Sequence, residues 1–270
     1  MSRVALDLGF IQIYWYSIFI FLGILFAMLY IHHEIKKFKI NEDFIVNMLF
    51  YVLLFGIIGA RLYFVAFNFN YYMAHPLEIF EIWNGGLAIH GGIIAGSLVM
   101  LIYTKKYKQN VAKIFDITAV GLLLGQAIGR WGNFFNQEAF GKITSKIVLQ
   151  EAKIPEFIIN NMYIDGAYRQ PTFLYESVWN IFGFLAALII KRYKYLKNGQ
   201  LVGFYLMWYS LGRFFIESLR SDSLMLGPLK VAQVLSVILF IIGFIVFLVK
   251  GRGSRFDNLY KEVNNNEINF

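Results

Sequence analysis

Six ionisable residues stand inside stretches that are otherwise apolar: Arg61, His90, Arg130, Glu176, Arg213 and Glu217. Such a residue costs about 2.5–3.5 kcal/mol to place in hydrocarbon, so it needs a reason to be there. Each falls in the third of its stretch that the orientation derived below puts toward the outside. A shared polar cavity open to the outer leaflet accounts for all six together. Snorkelling of single side chains to the interface accounts only for each one separately. Three guanidinium forks in such a cavity suit an anion, because their geometry matches paired phosphate oxygens. The anions at that depth are phospholipid head groups. Asp116 is the exception, since it lies at the inner boundary and reads as facing the cytoplasm.

Two polar strips strengthen this reading. Gly129-Arg130-Trp131-Gly132-Asn133-Phe134-Phe135-Asn136-Gln137-Glu138 ends an apolar run with Arg, two Asn, Gln and Glu, interleaved with aromatics. A segment that needed only solubility would not carry Phe134 and Phe135. Gln170-Pro171-Thr172-Phe173-Leu174-Tyr175-Glu176 is the candidate partner strip, with Pro171 suited to a helix start. Asn84-Gly85-Gly86 precedes His90, and Gly91, Gly92 and Gly96 follow it. These glycines serve close helix packing or close approach of lipid and backbone.

The elements that must position these residues are set by composition. Of 270 residues, 58% are hydrophobic, 19% aromatic and only 16% charged. Soluble domains sit nearer 25% charged, and disorder requires low hydrophobicity, so both classes are excluded. Seven runs can cross a ~30 Å hydrocarbon core: 14–31, 44–66, 82–104, 116–136, 172–190, 201–217 and 231–249. Fifteen of the 25 basic residues fall in alternate linkers, 34–43, 104–113, 191–200 and the tail from 250. The positive-inside rule then puts the N-terminus outside and the C-terminus in the cytoplasm. Tyr14, Trp15 and Tyr16 form an interfacial aromatic belt at the first entry.

The expected fold is thus an all-α integral membrane protein of seven transmembrane helices. Residues 1–250 form the transmembrane domain, 137–171 a small external head, and 251–270 a polar, frayed cytoplasmic tail. No cleavable signal peptide is expected, since the first run is too long for one. The net charge of +8 is scattered in short runs, which argues against nucleic acid as a partner. Cysteine is absent, so any thiol in the chemistry must come from a substrate. No metal-ligand spacing is present, because His32 and His33 are adjacent in a linker and His75 stands alone.

The strip from Gly129 to Glu138 resembles the signature of the bacterial prolipoprotein diacylglyceryl transferases. Four further blocks agree in order: Trp15-Tyr16, Gly59-Ala60-Arg61, Asn84 to Gly92 around His90, and Tyr209-Ser210-Leu211-Gly212-Arg213 through Glu217 to Arg220. The resemblance implies an enzyme that moves the diacylglyceryl group of phosphatidylglycerol to the thiol of the lipobox cysteine in a preprolipoprotein signal peptide. A thioether forms and glycerol phosphate leaves. It implies the bacterial cytoplasmic (inner) membrane as location, an active site toward the outer leaflet, the bilayer as a partner, and no cofactor.

By the same resemblance, Arg130 and Arg213 hold the phosphate. His90, Glu138, Tyr16 and Tyr209 are expected to be catalytic; the chemistry needs a base for the thiol proton, and His90 is expected ahead of Glu138 in that role. Asn133, Gly141, Arg61 and Glu217 are expected to contact substrate, and Asp116 and Arg220 match further polar positions. One block departs: the family's usual His and Gln are replaced by Gln170 and Phe173, so neither is an obligatory acid–base group here. A transporter would place polar groups near the midplane and at both mouths. A lipid-binding scaffold would gain nothing from Glu138 and His90 together.

Overall fold

A computed structural model describes residues 3–9, 12–254, 256 and 258–262. Ten α-helices are found among them: α1 Trp15–Lys37, α2 Glu42–Phe67, α3 Phe69–Ala74, α4 Ile89–Lys106, α5 Val111–Asn136, α6 Lys146–Glu151, α7 Glu156–Asn161, α8 Thr172–Ile190, α9 Gln200–Leu219 and α10 Val231–Gly251. Seven of these are 18 residues or longer and coincide with the seven apolar runs. Five, namely α1, α2, α5, α8 and α10, are long and apolar enough to cross a membrane by length and composition. The other two, α4 and α9, are diluted by Gly, His and charged side chains.

The third run starts later than its hydropathy suggests. Pro76–Phe80 and Ile82–Asn84 are 3₁₀ turns, and α4 begins only at Ile89. Gly85 (φ +85°) and Gly86 (φ +71°) lie in the left-handed region, where an α-helix cannot propagate. The all-helical expectation also needs correction, because three small antiparallel sheets are present: β1 Val4–Asp7 with β2 Gln12–Tyr14; β3 Ile143–Thr144, β4 Tyr163–Ile164 and β5 Ala167–Arg169; and β6 Met225–Leu226 with β7 Leu229–Lys230. These strands are two to four residues long, too short to show periodicity. The turn of β4–β5 is Asp165–Gly166, both at positive φ, the geometry a two-residue hairpin favours.

The chain divides into two compact units, one of Met1–Glu34 with Phe115–Glu262, the other of Ile35–Ile114. In the second unit α2 and α4 approach so closely that a Cβ on Gly59 would lie 2.8 Å from the carbonyl oxygen of Gly91. Glycine is required at that crossing.

In the first unit, residues between α5 and α8 form a small body with its own core. Phe134, Leu149, Ile154, Ile158, Ile159, Met162, Ile164 and Phe173 are buried together. Phe134 and Phe173 stack at 4.6 Å, tying the end of α5 to the start of α8. This is why Phe173 occupies its position: it fills the core of this body. Phe135 points elsewhere, stacking on Trp15 at 4.9 Å and Phe19 at 5.2 Å, and so anchors α1.

The α8–α9 pair is fastened by Trp179 and Trp208. Their rings stack at 4.5 Å, and each indole N–H donates to the other's carbonyl oxygen at 2.9 and 3.0 Å. Both polar indole groups are thereby satisfied within an apolar layer.

The far end of the first unit corrects two expectations. Asp116 is fully buried instead of facing solvent. Its carboxylate accepts from the backbone N–H of Gly199 (2.6 Å) and Val202 (2.8 Å), capping α9 from α5. The tail does not fray where it is described. Tyr260 is buried and its N–H donates to the carbonyl of Leu196 (2.7 Å), while Lys197 pairs with Leu259. Residues 263–270 of the predicted tail lie outside the described residues.

Candidate functional site

The densest charge cluster of the first unit forms where α5, α8 and α9 meet. Glu176, four residues into α8, has only 7% of its side chain exposed. One carboxylate oxygen pairs with Arg130 of α5 at 2.6 Å and the other with Arg213 of α9 at 3.0 Å. The second arm of the Arg213 fork pairs with Glu217, one turn further along α9, at 2.8 Å. These are desolvated charges: side-chain exposure is 23% for Arg130, 18% for Arg213 and 3% for Glu217.

The cluster continues outward along α5. Arg130 donates weakly to Asn133 Oδ1 (3.4 Å), and Asn133 Nδ2 donates to Glu138 (2.9 Å). Glu138 is exposed, and its N–H is fixed by the carbonyl of Asn133. Tyr16 packs beside Gly132, within electrostatic reach of Glu138 and Arg130. Tyr209 lies one turn below Arg213 on α9 and stacks with Tyr205 at 6.0 Å. Tyr205 in turn accepts from Gln126 (2.9 Å), one turn below Arg130 on α5.

At the end of α9, Arg220 makes a two-pronged contact with Asp222 (3.0 and 2.9 Å). The pair holds the Asp222 carboxyl below the ordinary carboxylate range. Lys230 donates to the carbonyls of Glu217 (2.6 Å) and Arg220 (3.2 Å), adding positive charge at this rim. Gly141 bridges to Arg220, and a Cβ there would meet Gln170 at 2.7 Å and the Leu219 carbonyl at 3.1 Å. Its place in the structure is a packing one, at the join between the 137–171 body and α9.

Arg61 and His90 belong to the second unit. Arg61 is buried, and its fork donates to the carbonyls of Ile79 (2.8 Å), Gly85 (2.8 Å), Gly86 (3.1 Å) and Glu78. Four of these contacts occupy a group with five N–H donors, so Arg61 organises the 76–86 loop and has little left for a ligand. The sequence reading expected Arg61 to contact substrate; in the structure most of its donors are taken up by these carbonyls. His90 is exposed in the first turn of α4, its ring 6.2 Å from that of Tyr63.

Sequence reasoning gathered Arg130, Arg213, Glu217, Asn133 and Glu138 into one site, and the structure brings these together. It placed Glu176 in the shared cavity without giving it a role, and did not single out Lys230 or Asp222. Glu176 carried a usable signal, since a carboxylate within an apolar helix requires a cationic partner. Lys230 acts through backbone carbonyls, for which no sequence pattern exists.

The fold and site define a helical protein with membrane-length apolar helices and two half-buried arginines ion-paired to buried carboxylates. Residues 3–249 match the sequence model of the family described as prolipoprotein diacylglyceryl transferase. A relative from Staphylococcus saprophyticus, named phosphatidylglycerol–prolipoprotein diacylglyceryl transferase, is 47% identical over 93% of this chain and 90% of its own. Relatives of the same name from Bacillus cytotoxicus and Bacillus cereus are 45% and 44% identical over 97% of both chains. The chain belongs to the prolipoprotein diacylglyceryl transferase family.

Proposed function

We propose that this protein transfers the diacylglyceryl group of phosphatidylglycerol to the lipobox cysteine of a preprolipoprotein, releasing glycerol phosphate. The observation that carries the reading is the convergence of Arg130 and Arg213 on a single carboxylate. Two guanidinium groups that share the two oxygens of Glu176 are spaced to share two oxygens of a phosphodiester.

In this reading the substrate thiol gives up its proton, the thiolate attacks the glyceryl carbon, and the carbon–oxygen bond to phosphate breaks. The electron pair leaves on the phosphate oxygen, where Arg130 and Arg213 stabilise the growing charge. A free thiol ionises near 8.5, so a base is needed at neutral pH. Glu138 is in place within the first unit, held by Asn133. His90, at the start of α4, is the alternative. Tyr16 and Tyr209 flank the centre as hydroxyl donors, and Glu217 orients Arg213.

All seven long helices span the bacterial cytoplasmic membrane. The N-terminus lies outside, the C-terminus inside, the 137–171 body is an external head, and the arginine centre opens to the outer leaflet. The charge distribution of the linkers supports this orientation.

The test is a defined turnover assay in detergent, with phosphatidylglycerol and a lipobox peptide. Glycerol phosphate is released with the cysteine peptide only, and is lost in folded R130A and R213A. Absence of release from folded wild-type protein overturns the reading. The pH–rate profiles of H90Q and E138Q identify the base, whose loss removes the limb that reports it.

A further inference from the structure

The arginine centre already contains its own anion. Glu176 contacts both Arg130 and Arg213, and Glu217 takes the second arm of Arg213. Two positive charges face two negative ones, all largely removed from water. A site built only to bind phosphate would leave its arginines uncompensated. The further cations near it, Arg220 and Lys230, are themselves engaged, Arg220 with Asp222 and Lys230 with two carbonyls.

We propose that Glu176 is a positioning residue that holds Arg130 and Arg213 converged and drives out the dianionic product. This rests on the reading of the arginine centre as the phosphate site. The phosphodiester of the lipid substrate carries one negative charge. The phosphomonoester that leaves carries close to two at neutral pH, its second ionisation lying near 6. Coulomb repulsion scales with charge, so Glu176 opposes the product about twice as strongly, in logarithmic terms, as the substrate. When product departs, the carboxylate retains both arginines and the centre is ready for the next lipid.

The charged groups around Glu176 are Arg130 from α5, Arg213 and Glu217 from α9, and beyond them Arg220 with Asp222, Lys230, and Glu138 through Asn133. Among these, Glu176 is the group that bridges two arginines through separate oxygens. Gln at this position keeps the shape and removes the charge. Asp keeps the charge on a shorter arm.

The experiment is product inhibition by glycerol phosphate of wild-type enzyme, E176Q, E176D and R130K, assayed with phosphatidylglycerol micelles and a lipobox peptide. In E176Q the inhibition constant falls about tenfold and KM for the lipid about threefold, while kcat drops as release slows. E176D keeps its inhibition constant near the wild-type value. R130K weakens inhibition. If inhibition is insensitive to R130K, the phosphate site is misplaced and both readings fall. If R130K weakens it but E176Q leaves it unchanged, only the Glu176 proposal falls. A structural role alone would lower kcat and thermal stability in E176Q without tightening glycerol phosphate.

A second measurement needs no variant. In wild-type enzyme, raising the pH through about 6 leaves inhibition nearly constant, because Glu176 offsets the second product charge. Inhibition that tightens about tenfold across that range overturns the proposal even if E176Q does not fold.

Discussion

Arg213→Lys separates charge from geometry at the centre. Arg213 uses two different nitrogens, one on Glu176 at 3.0 Å and one on Glu217 at 2.8 Å. A lysine keeps the positive charge but concentrates it on one ammonium, which cannot reproduce a fork held between two carboxylates. Removing one preorganised donor from a developing oxyanion costs about 2.7–4 kcal/mol, or about 10²–10³ in rate. R213K should therefore lose about 10²-fold in kcat/KM, with only a modest loss of stability. R213A should lose at least as much activity. It should also destabilise the protein by about 3–5 kcal/mol, because Glu176 and Glu217 are left partly uncompensated in a desolvated setting. The assay is the initial rate of glycerol phosphate release, read beside thermal unfolding in the same detergent. Activity of R213K within threefold of wild type would refute the reasoning, because charge alone would then suffice. Loss of activity in R213K that tracked its loss of folded protein would refute it differently, by making Arg213 a structural residue.

Three further outcomes follow from the geometry. Asp116→Asn removes one of the two oxygens that cap α9, and should lower stability by about 1.5–3 kcal/mol while kcat of the folded fraction stays near wild type; thermal unfolding and active-fraction titration check this. Gly86→Ala places a Cβ against Arg61 and Phe64 at a backbone φ of +71°, so the 76–86 loop should loosen, read as faster amide exchange or proteolysis there. The Asp222–Arg220 pair sets a pH dependence. Its carboxyl is depressed in the folded protein relative to about 3.9 unfolded, so its stabilisation is present above about pH 4 and is lost as pH falls through the lower folded value. With Asp222 half exposed the effect is under about 1 kcal/mol. Melting curves of wild type and D222N should be offset by a constant amount above about pH 5, begin to converge near pH 4 and meet below the depressed folded value.

Much of the architecture was legible because a membrane-length helix announces itself by an unbroken apolar run. α8 matches its predicted span at both ends, residue for residue. The late start of α4 was hidden, because hydropathy counts Gly85 and Gly86 as neutral while the backbone treats them as a break. The site was legible wherever a residue's cost demanded a reason: Arg130, Arg213 and Glu217 could not be idle in an apolar setting. What the sequence concealed was the division of labour among such residues. Arg61 is as expensive as Arg130, yet it is used on loop carbonyls, and nothing in its own neighbourhood of sequence distinguishes the two. Asp116 looked like a boundary residue because its partners, Gly199 and Val202, lie more than 80 positions away. The close packing of Gly141 was likewise hidden, because the Leu219 carbonyl it meets comes from a remote segment.

The docking of residues 258–261 has a consequence for how the chain matures. These residues supply the partners for Leu196, Asn198 and Arg192, beside the start of α9 that Asp116 caps. They leave the ribosome after every helix of the first unit has been made. Vectorial synthesis therefore delivers α1, α5, α8, α9 and α10 before the segment that closes over the start of α9 exists. Until then Leu196 and Asn198 have water in place of those partners. The final closure is thus a late, separable event, and an extension fused directly after this segment would act on it before it could act on the arginine centre.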